Sequence, residues 1–324
     1  MQLLNNHKNH KTRILIIKWL VALIALGFLY YEIFVRHQAV SLFNEYKHTV
    51  IQIWPSLLMV LLLMPLNWFI ESLKWRRLLL NTTKISKYNA VKGVLMGVSL
   101  GLFTPNGVGE FAGRIWVVEK KYREQAVSSS IVGSLSQLCI TITIGGALIV
   151  FFASQLIAKD WLLTAQILAG LTVLFGFYAY YKMPEIAGAL LTRIKVFNRF
   201  GKFRDSMASF SKKALTKAYL SSLLRYVVFC TQLGVLIITV GGLSSKEAML
   251  VVGLIPVYYY IQTIVPTVAL SEIGVRGLIM LFLFSSILLE SEVILISFII
   301  WIVNLIVPGL IGLVFLAQNK FRNK

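Results

Sequence analysis

Two stretches of this chain combine ionisable residues with an interrupted apolar run. The first reads Thr104-Pro105-Asn106-Gly107-Val108-Gly109-Glu110, with Arg114 one helical turn beyond the glutamate. The second runs from Pro266 through Glu272 to Arg276, with the same glutamate-to-arginine spacing behind a proline. That spacing lets each acid and base pair on one helix face. Ionisable groups inside apolar segments are costly, and they mark substrate or ion pathways. Gly107 and Gly109 allow a sharp turn, and a helix beginning near Glu110 presents its positive end there. Such an end seats anions, and in a membrane the obvious anion is a lipid phosphate. The plainer reading is a hairpin tip with self-neutralising charges, and two such pairs in matching places favour the functional one.

Three further residues extend this set. Arg225 lies inside an apolar run with no acid beside it in sequence. It requires a distant acid, backbone carbonyls or a lipid phosphate; Glu71, Glu110 and Glu272 are the acids available, and snorkelling to the water interface is the alternative. Asn67 and Glu71 stand one turn apart at the end of a span, where they can line a polar vestibule. Their neighbours Lys74, Trp75, Arg76 and Arg77 read as an aromatic belt with orienting positive charges. Gly93, Gly97 and Gly101 repeat on one helix face, a spacing for close backbone packing. No catalytic constellation emerges. The four histidines all fall in the first 48 residues, outside the apolar runs, and Cys139 and Cys230 stand far apart. No metal or cofactor is expected.

The elements that must position these residues are membrane helices. The chain is 57% apolar and 14% charged, against about 45–50% and about 25% in soluble domains. The formal charge of +19 does not imply nucleic acid, because the basic residues cluster between apolar runs. Six runs approach the roughly 20 residues a spanning helix needs: Ile14–Val35, Val50–Ile70, Ala126–Ala153, Leu162–Tyr181, Tyr219–Val240 and Val293–Leu316. The first reads as an uncleaved anchor. Val91–Trp116 and Met249–Leu289 are apolar but broken. The expected fold is an all-α polytopic membrane protein of about six full spans plus two broken or re-entrant helical hairpins.

Orientation follows from the basic residues. If Val91–Trp116 enters and leaves on one side, nearly all the basic clusters fall on that side, with both termini cytoplasmic. Arg36, Lys47, Lys159 and Lys246 alone fall outside. The two broken segments and their flanking spans then run in opposite directions. This is an inverted-topology repeat, residues 50–158 and 214–318, within one integral membrane domain over 1–324; such repeats are the sign of many transporters. The basic connection 182–217 orients the chain or lies on anionic lipid, with Ile194, Phe197, Met207 and Phe210 dipping into the interface.

Three motifs carry a family resemblance: Asn67-Trp68-Phe69-Ile70-Glu71-Ser72-Leu73-Lys74-Trp75, Gly101 through Glu110, and Pro266 through Arg276. Over nearly its whole length the chain resembles the lysylphosphatidylglycerol synthase transmembrane-region family, the flippase-like domain at the N-terminus of the multiple peptide resistance factor. It departs from the pattern at Ser271-Glu272 and Gly277, and since the sequence ends at Lys324, shortly after the last span, the soluble aminoacyl-transferase domain of two-domain members is not expected. The resemblance implies a transporter in the cytoplasmic membrane that moves a phospholipid or other polar lipid between leaflets. The expected partners are the bilayer, an anionic or aminoacylated phospholipid, a second copy of the chain or a separate lipid-modifying enzyme. The alternative is a membrane-embedded lipid-modifying transferase, or its accessory subunit, with Glu110 or Glu272 as general base.

The orientation makes a direct prediction. Cysteines placed at Lys87 and Ser206 should react with an impermeant maleimide only from the cytoplasm, and those at Gln155 and Ser244 only from outside. Labelling of position 206 from outside would overturn both the hairpin and the inverted repeat.

Overall fold

In hydrocarbon, every backbone N–H and C=O must find a partner within the protein, and an α-helix meets that demand segment by segment. The computed structural model describes residues 53–80, 82–102, 104, 107–156, 159–193, 201–265 and 272–322, which form helices and no strand. The expected anchor Ile14–Val35 lies outside the described residues. In chain order the helices are α1 (Trp54–Leu79), α2 (Lys87–Leu102), α3 (Gly109–Trp116), α4 (Arg123–Leu156), α5 (Lys159–Arg193) and α6 (Gly201–Ala208). They continue as α7 (Lys212–Val240), α8 (Ser245–Ile264), α9 (Glu272–Phe284), α10 (Glu290–Trp301) and α11 (Val307–Arg322), with one π-helical turn, Ile302–Ile306, joining the last two.

Six helical stretches among the described residues are long and apolar enough to cross a membrane. Five correspond to expected spans, and the sixth is Ser245–Ile264. That helix is the first arm of the broken segment Met249–Leu289, which the sequence leaves open between a re-entrant hairpin and two short spans; its 20 residues suffice for a crossing. The helix expected over Val50–Ile70 instead continues to Leu79, because Glu71, Ser72, Lys74 and Trp75 are buried rather than solvated. By contrast, α3 has eight residues and rises only about 12 Å, far short of the roughly 30 Å hydrocarbon core.

A glycine seam holds α3 against α2. A Cβ on Gly97 would stand 2.6 Å from the Glu110 carbonyl oxygen, and one on Gly101 would stand 3.0 Å from Glu110 Cγ. A Cβ on Gly113 would overlap the Gly97 backbone. The opposite side of α2 meets α11 in the same way. There Ser99 Oγ donates to the Gly309 carbonyl at 2.5 Å, and a Cβ on Gly312 would strike the Leu95 carbonyl. Small residues thus let three backbones approach closely, the packing open to helices that gain no hydrophobic energy from leaving lipid.

The main core lies among α1, α2 and α7–α10 and includes Trp75, Leu79, Val94, Leu236, Ile255, Phe284 and Ile296. A smaller cluster joins α4, α5 and the start of α7 through Val132, Tyr180 and Leu215. Met207 and Phe210 belong to this second cluster. The expectation that they dip into the lipid interface is therefore corrected, since they pack inside the protein. The Phe203 N–H, donating to Glu124 Oε2 at 2.8 Å, ties α6 to α4. α5 turns Leu163, Leu171, Leu174 and Phe175 outward, as expected of a helix that faces acyl chains.

The seam can be tested by overpacking. Gly113→Val should lower stability by about 1–3 kcal/mol or more, read as a fall in melting temperature in detergent. Gly170→Val, where an added Cβ meets nothing within 4 Å, should be nearly neutral.

Candidate functional site

The site is assembled on α1, whose residues Asn67, Glu71 and Lys74 recur at helical spacing and face inward. Glu71 is 3% exposed and takes three cations. Its Oε2 accepts from Lys74 Nζ at 2.8 Å and from Arg225 Nη1 at 3.0 Å. Its Oε1 accepts from Arg114 Nη2 at 3.1 Å. α7 supplies Arg225, whose Nε also donates to Asn67 Oδ1 at 2.7 Å. The Arg225 guanidinium stands 5.0 Å from the ring centres of both Trp68 and Phe229, where a cation gains from the ring faces.

Lys74 is 1% exposed. Besides Glu71 it donates to the Gly133 carbonyl at 2.9 Å and to Ser222 Oγ at 3.1 Å. Ser136 Oγ completes this corner, 2.7 Å from the Gly133 carbonyl and 2.8 Å from Ser222 Oγ. Gly133 leaves room for the lysine, since a Cβ there would stand 3.4 Å from Lys74 Cε. The sequence reading placed Lys74 in a solvated cationic belt and missed its role, along with those of Ser136 and Ser222. The signal was present: a residue three positions after an inward-facing Glu71 also faces inward.

Glu110 and Arg114 do meet, at 3.4 Å, but the shorter bond from Arg114 goes to Glu71. The local pair is therefore one arm of a wider network. Glu110 is 36% exposed, whereas Arg114 is buried. Arg114 Nε and Nη1 have no hydrogen-bond partner among the described residues, nor has Gln137 Oε1. These groups line a cavity of about 290 Å³ together with Glu71, Lys74, Arg225, Thr141 and Thr263. Three cations face two acids there, so the named charges leave a surplus of +1.

The expected anion seat at the start of α3 is corrected. Gly109 N–H donates to Thr104 Oγ1 at 2.7 Å, Glu110 N–H to the Gly107 carbonyl at 2.9 Å, and Phe111 N–H to the Val108 carbonyl at 3.2 Å. The first-turn donors are thus already engaged by the chain. Gly107 takes φ +65°, a left-handed conformation that suits glycine, and so permits this internal closure. Pro105, Asn106 and Pro266 lie outside the described residues, as does the Glu272 side chain. Arg276 meets α8: with the Gln262 amide oxygen turned toward it, that oxygen accepts from Arg276 Nε at 2.7 Å and Nη2 at 3.2 Å. The next residue, Thr263, lines the cavity, so the second motif reaches the edge of the site through α8.

The profile of the family described as Lysylphosphatidylglycerol synthase TM region matches residues 15–312. The chain belongs to this family. No curated protein and no solved structure matches it. As a lysylphosphatidylglycerol synthase TM region, with six apolar helices long enough to cross, it is a multi-pass membrane domain with a lipid-related role. The match spans every element that contributes to the ion network.

The network predicts unequal costs for its two acids. Glu71→Gln removes the carboxylate shared by three buried or half-buried cations and should destabilise by about 3–5 kcal/mol. Glu110→Gln alters a half-exposed pair and should cost less than about 1 kcal/mol. Chemical unfolding of both variants in detergent compares them, and equal losses would contradict the central place of Glu71.

Proposed function

We propose that this domain moves a polar phospholipid between the leaflets of the cytoplasmic membrane, holding the headgroup in the Glu71–Arg114–Arg225 cavity while the acyl chains stay in lipid. The observation that carries this reading is the pair of unmet donors on buried Arg114, in a cavity with surplus positive charge. A buried guanidinium edge without a partner costs free energy, and a phosphate oxygen would relieve it by a charge-assisted bond. The half-exposed Glu110 carboxylate beside it suits the ammonium of an aminoacylated headgroup. A volume of about 290 Å³ accommodates a headgroup rather than a whole lipid.

The cost being avoided is large. A charge at the centre of a bilayer costs at least about 2.5–3.5 kcal/mol even on the most lenient scale. A cavity of fixed dipoles and ions replaces the lost water. The short α3 and the interrupted apolar run Met249–Leu289 in the sequence support a further part of the reading. In it, residues 50–158 and 214–318 form two inverted halves that rock about the cavity to expose it alternately.

The test is a leaflet-accessibility assay in proteoliposomes with phosphatidylglycerol and its lysyl ester. Wild type should equilibrate at least one of them across the bilayer. Arg114→Lys keeps a cation beside Glu71 but removes the planar donor edge. Its folding is checked in parallel by chemical unfolding in detergent, and the folded variant should move lipid at least about tenfold more slowly, the expected loss of one charge-assisted contact. Unchanged transport in Arg114→Lys, or no transport of any tested lipid by wild type, would sink the proposal.

A further inference from the structure

A second polar recess opens where the end of α1 meets the start of α7. It has a volume of about 740 Å³ and is lined by Arg77, Lys213 and Lys217 with no acidic residue. Arg77 Nη1 contacts Ser221 Oγ at 3.4 Å, which directs its guanidinium toward α7. Leu80, Leu220 and Leu224, all exposed, form an apolar flank to the same recess. Lys74 forms a wall common to this groove and to the inner cavity, but its charge is already committed to Glu71.

The groove carries positive charge where helix electrostatics disfavour it. The positive end of a helix favours acids in its first turn. α7 has none there and begins instead with Lys212 and Lys213, followed one turn later by Lys217. Arg77 of α1 adds to the same potential. Glu185 of α5 lies near Lys212, but no acid lines the recess beside Arg77, Lys213 and Lys217. An anion supplied from elsewhere would balance these three, and the leucine flank suits one that carries acyl chains. A single phosphodiester would answer one of the three cations. A headgroup with two phosphates answers two of them and fits the room available.

We infer that the α1–α7 groove is a docking seat for an anionic phospholipid bearing two phosphates, distinct from the inner cavity and independent of whether the domain transports lipid. Basic recesses between membrane helices are a recurrent way of holding such headgroups. The phosphates lie among Arg77, Lys213 and Lys217, and the acyl chains run along Leu80, Leu220 and Leu224.

The test measures binding to the purified full-length protein in neutral detergent, with no transport step. The probes are tetraoleoyl cardiolipin, dioleoylphosphatidylglycerol at equal total phosphate, and inorganic pyrophosphate. Cardiolipin should bind at least about tenfold more tightly than phosphatidylglycerol. Lys213→Gln with Lys217→Gln should weaken cardiolipin about tenfold or more, the effect of two basic residues near a lipid surface. The double change Lys120→Gln with Lys121→Gln removes the same charge from another exposed site and should leave binding unchanged. Equal affinity for the two lipids, or equal loss in both double variants, overturns the proposal. Displacement of cardiolipin by pyrophosphate at matched phosphate assigns the groove to a soluble diphosphate and overturns the lipid as its occupant. A protein that binds cardiolipin as expected but fails the leaflet assay leaves this seat intact and removes only the transport reading.

Discussion

One carboxylate organises this molecule. Glu71 is buried, and a buried carboxylate without partners costs several kcal/mol. Its two oxygens are shared among Lys74, Arg114 and Arg225, which come from α1, α3 and α7. Lys74 then reaches the Gly133 carbonyl of α4. Four helices thus meet around a single acid, and among the described residues none of the three cations has a second acid partner as deeply buried. Glu110 is closer to the surface, where it also meets Arg114.

The geometry around that acid explains why a positive surplus persists in an apolar domain. Arg114 spends one nitrogen on two carboxylates and keeps two donor atoms unmet. Its place is set by α3, a helix of eight residues. The glycine seam against α2 and the Thr104 hydroxyl under Gly109 hold it there. A structural ion pair alone would not call for a cavity beside it. The cavity, the unmet donors and the half-exposed Glu110 together make the arrangement suited to a visiting headgroup.

Much of this was legible in the sequence, for identifiable reasons. Apolar runs at membrane length report helices directly, because lipid leaves the backbone no alternative. The isolated Arg225 left a distant acid, carbonyls, a lipid phosphate and the water interface as open partners, and Glu71, which it meets, was among the acids named. The Gly93–Gly97–Gly101 repeat announced a close helix contact. Other features were hidden by ambiguity rather than noise. Lys74 stands beside Arg76 and Arg77, and a count of basic residues cannot tell a buried lysine from a solvated one. The start of α3 looked like an open anion seat because sequence shows the turn residues but not that Thr104 folds back onto Gly109. Met207 and Phe210 had the spacing of an interfacial stripe, and only the position of α6 beneath α4 shows that they face inward.

The backbone contacts of α2 constrain how the domain can deform. Glycine meets backbone on both flanks of α2, with α3 on one and α11 on the other, so at those points there is no side chain to bend or repack. Interiors packed this tightly transmit displacement instead of absorbing it. α2, α3 and α11 therefore form one closely packed unit, and α2 is the element through which the last helix of the chain is coupled to α3 and so to Arg114. The α1–α7 junction adds to its apolar core a set of ions and hydroxyls whose bonds can be exchanged one at a time. The ion network thus sits between a backbone-to-backbone contact that resists repacking and a polar junction that can rearrange step by step.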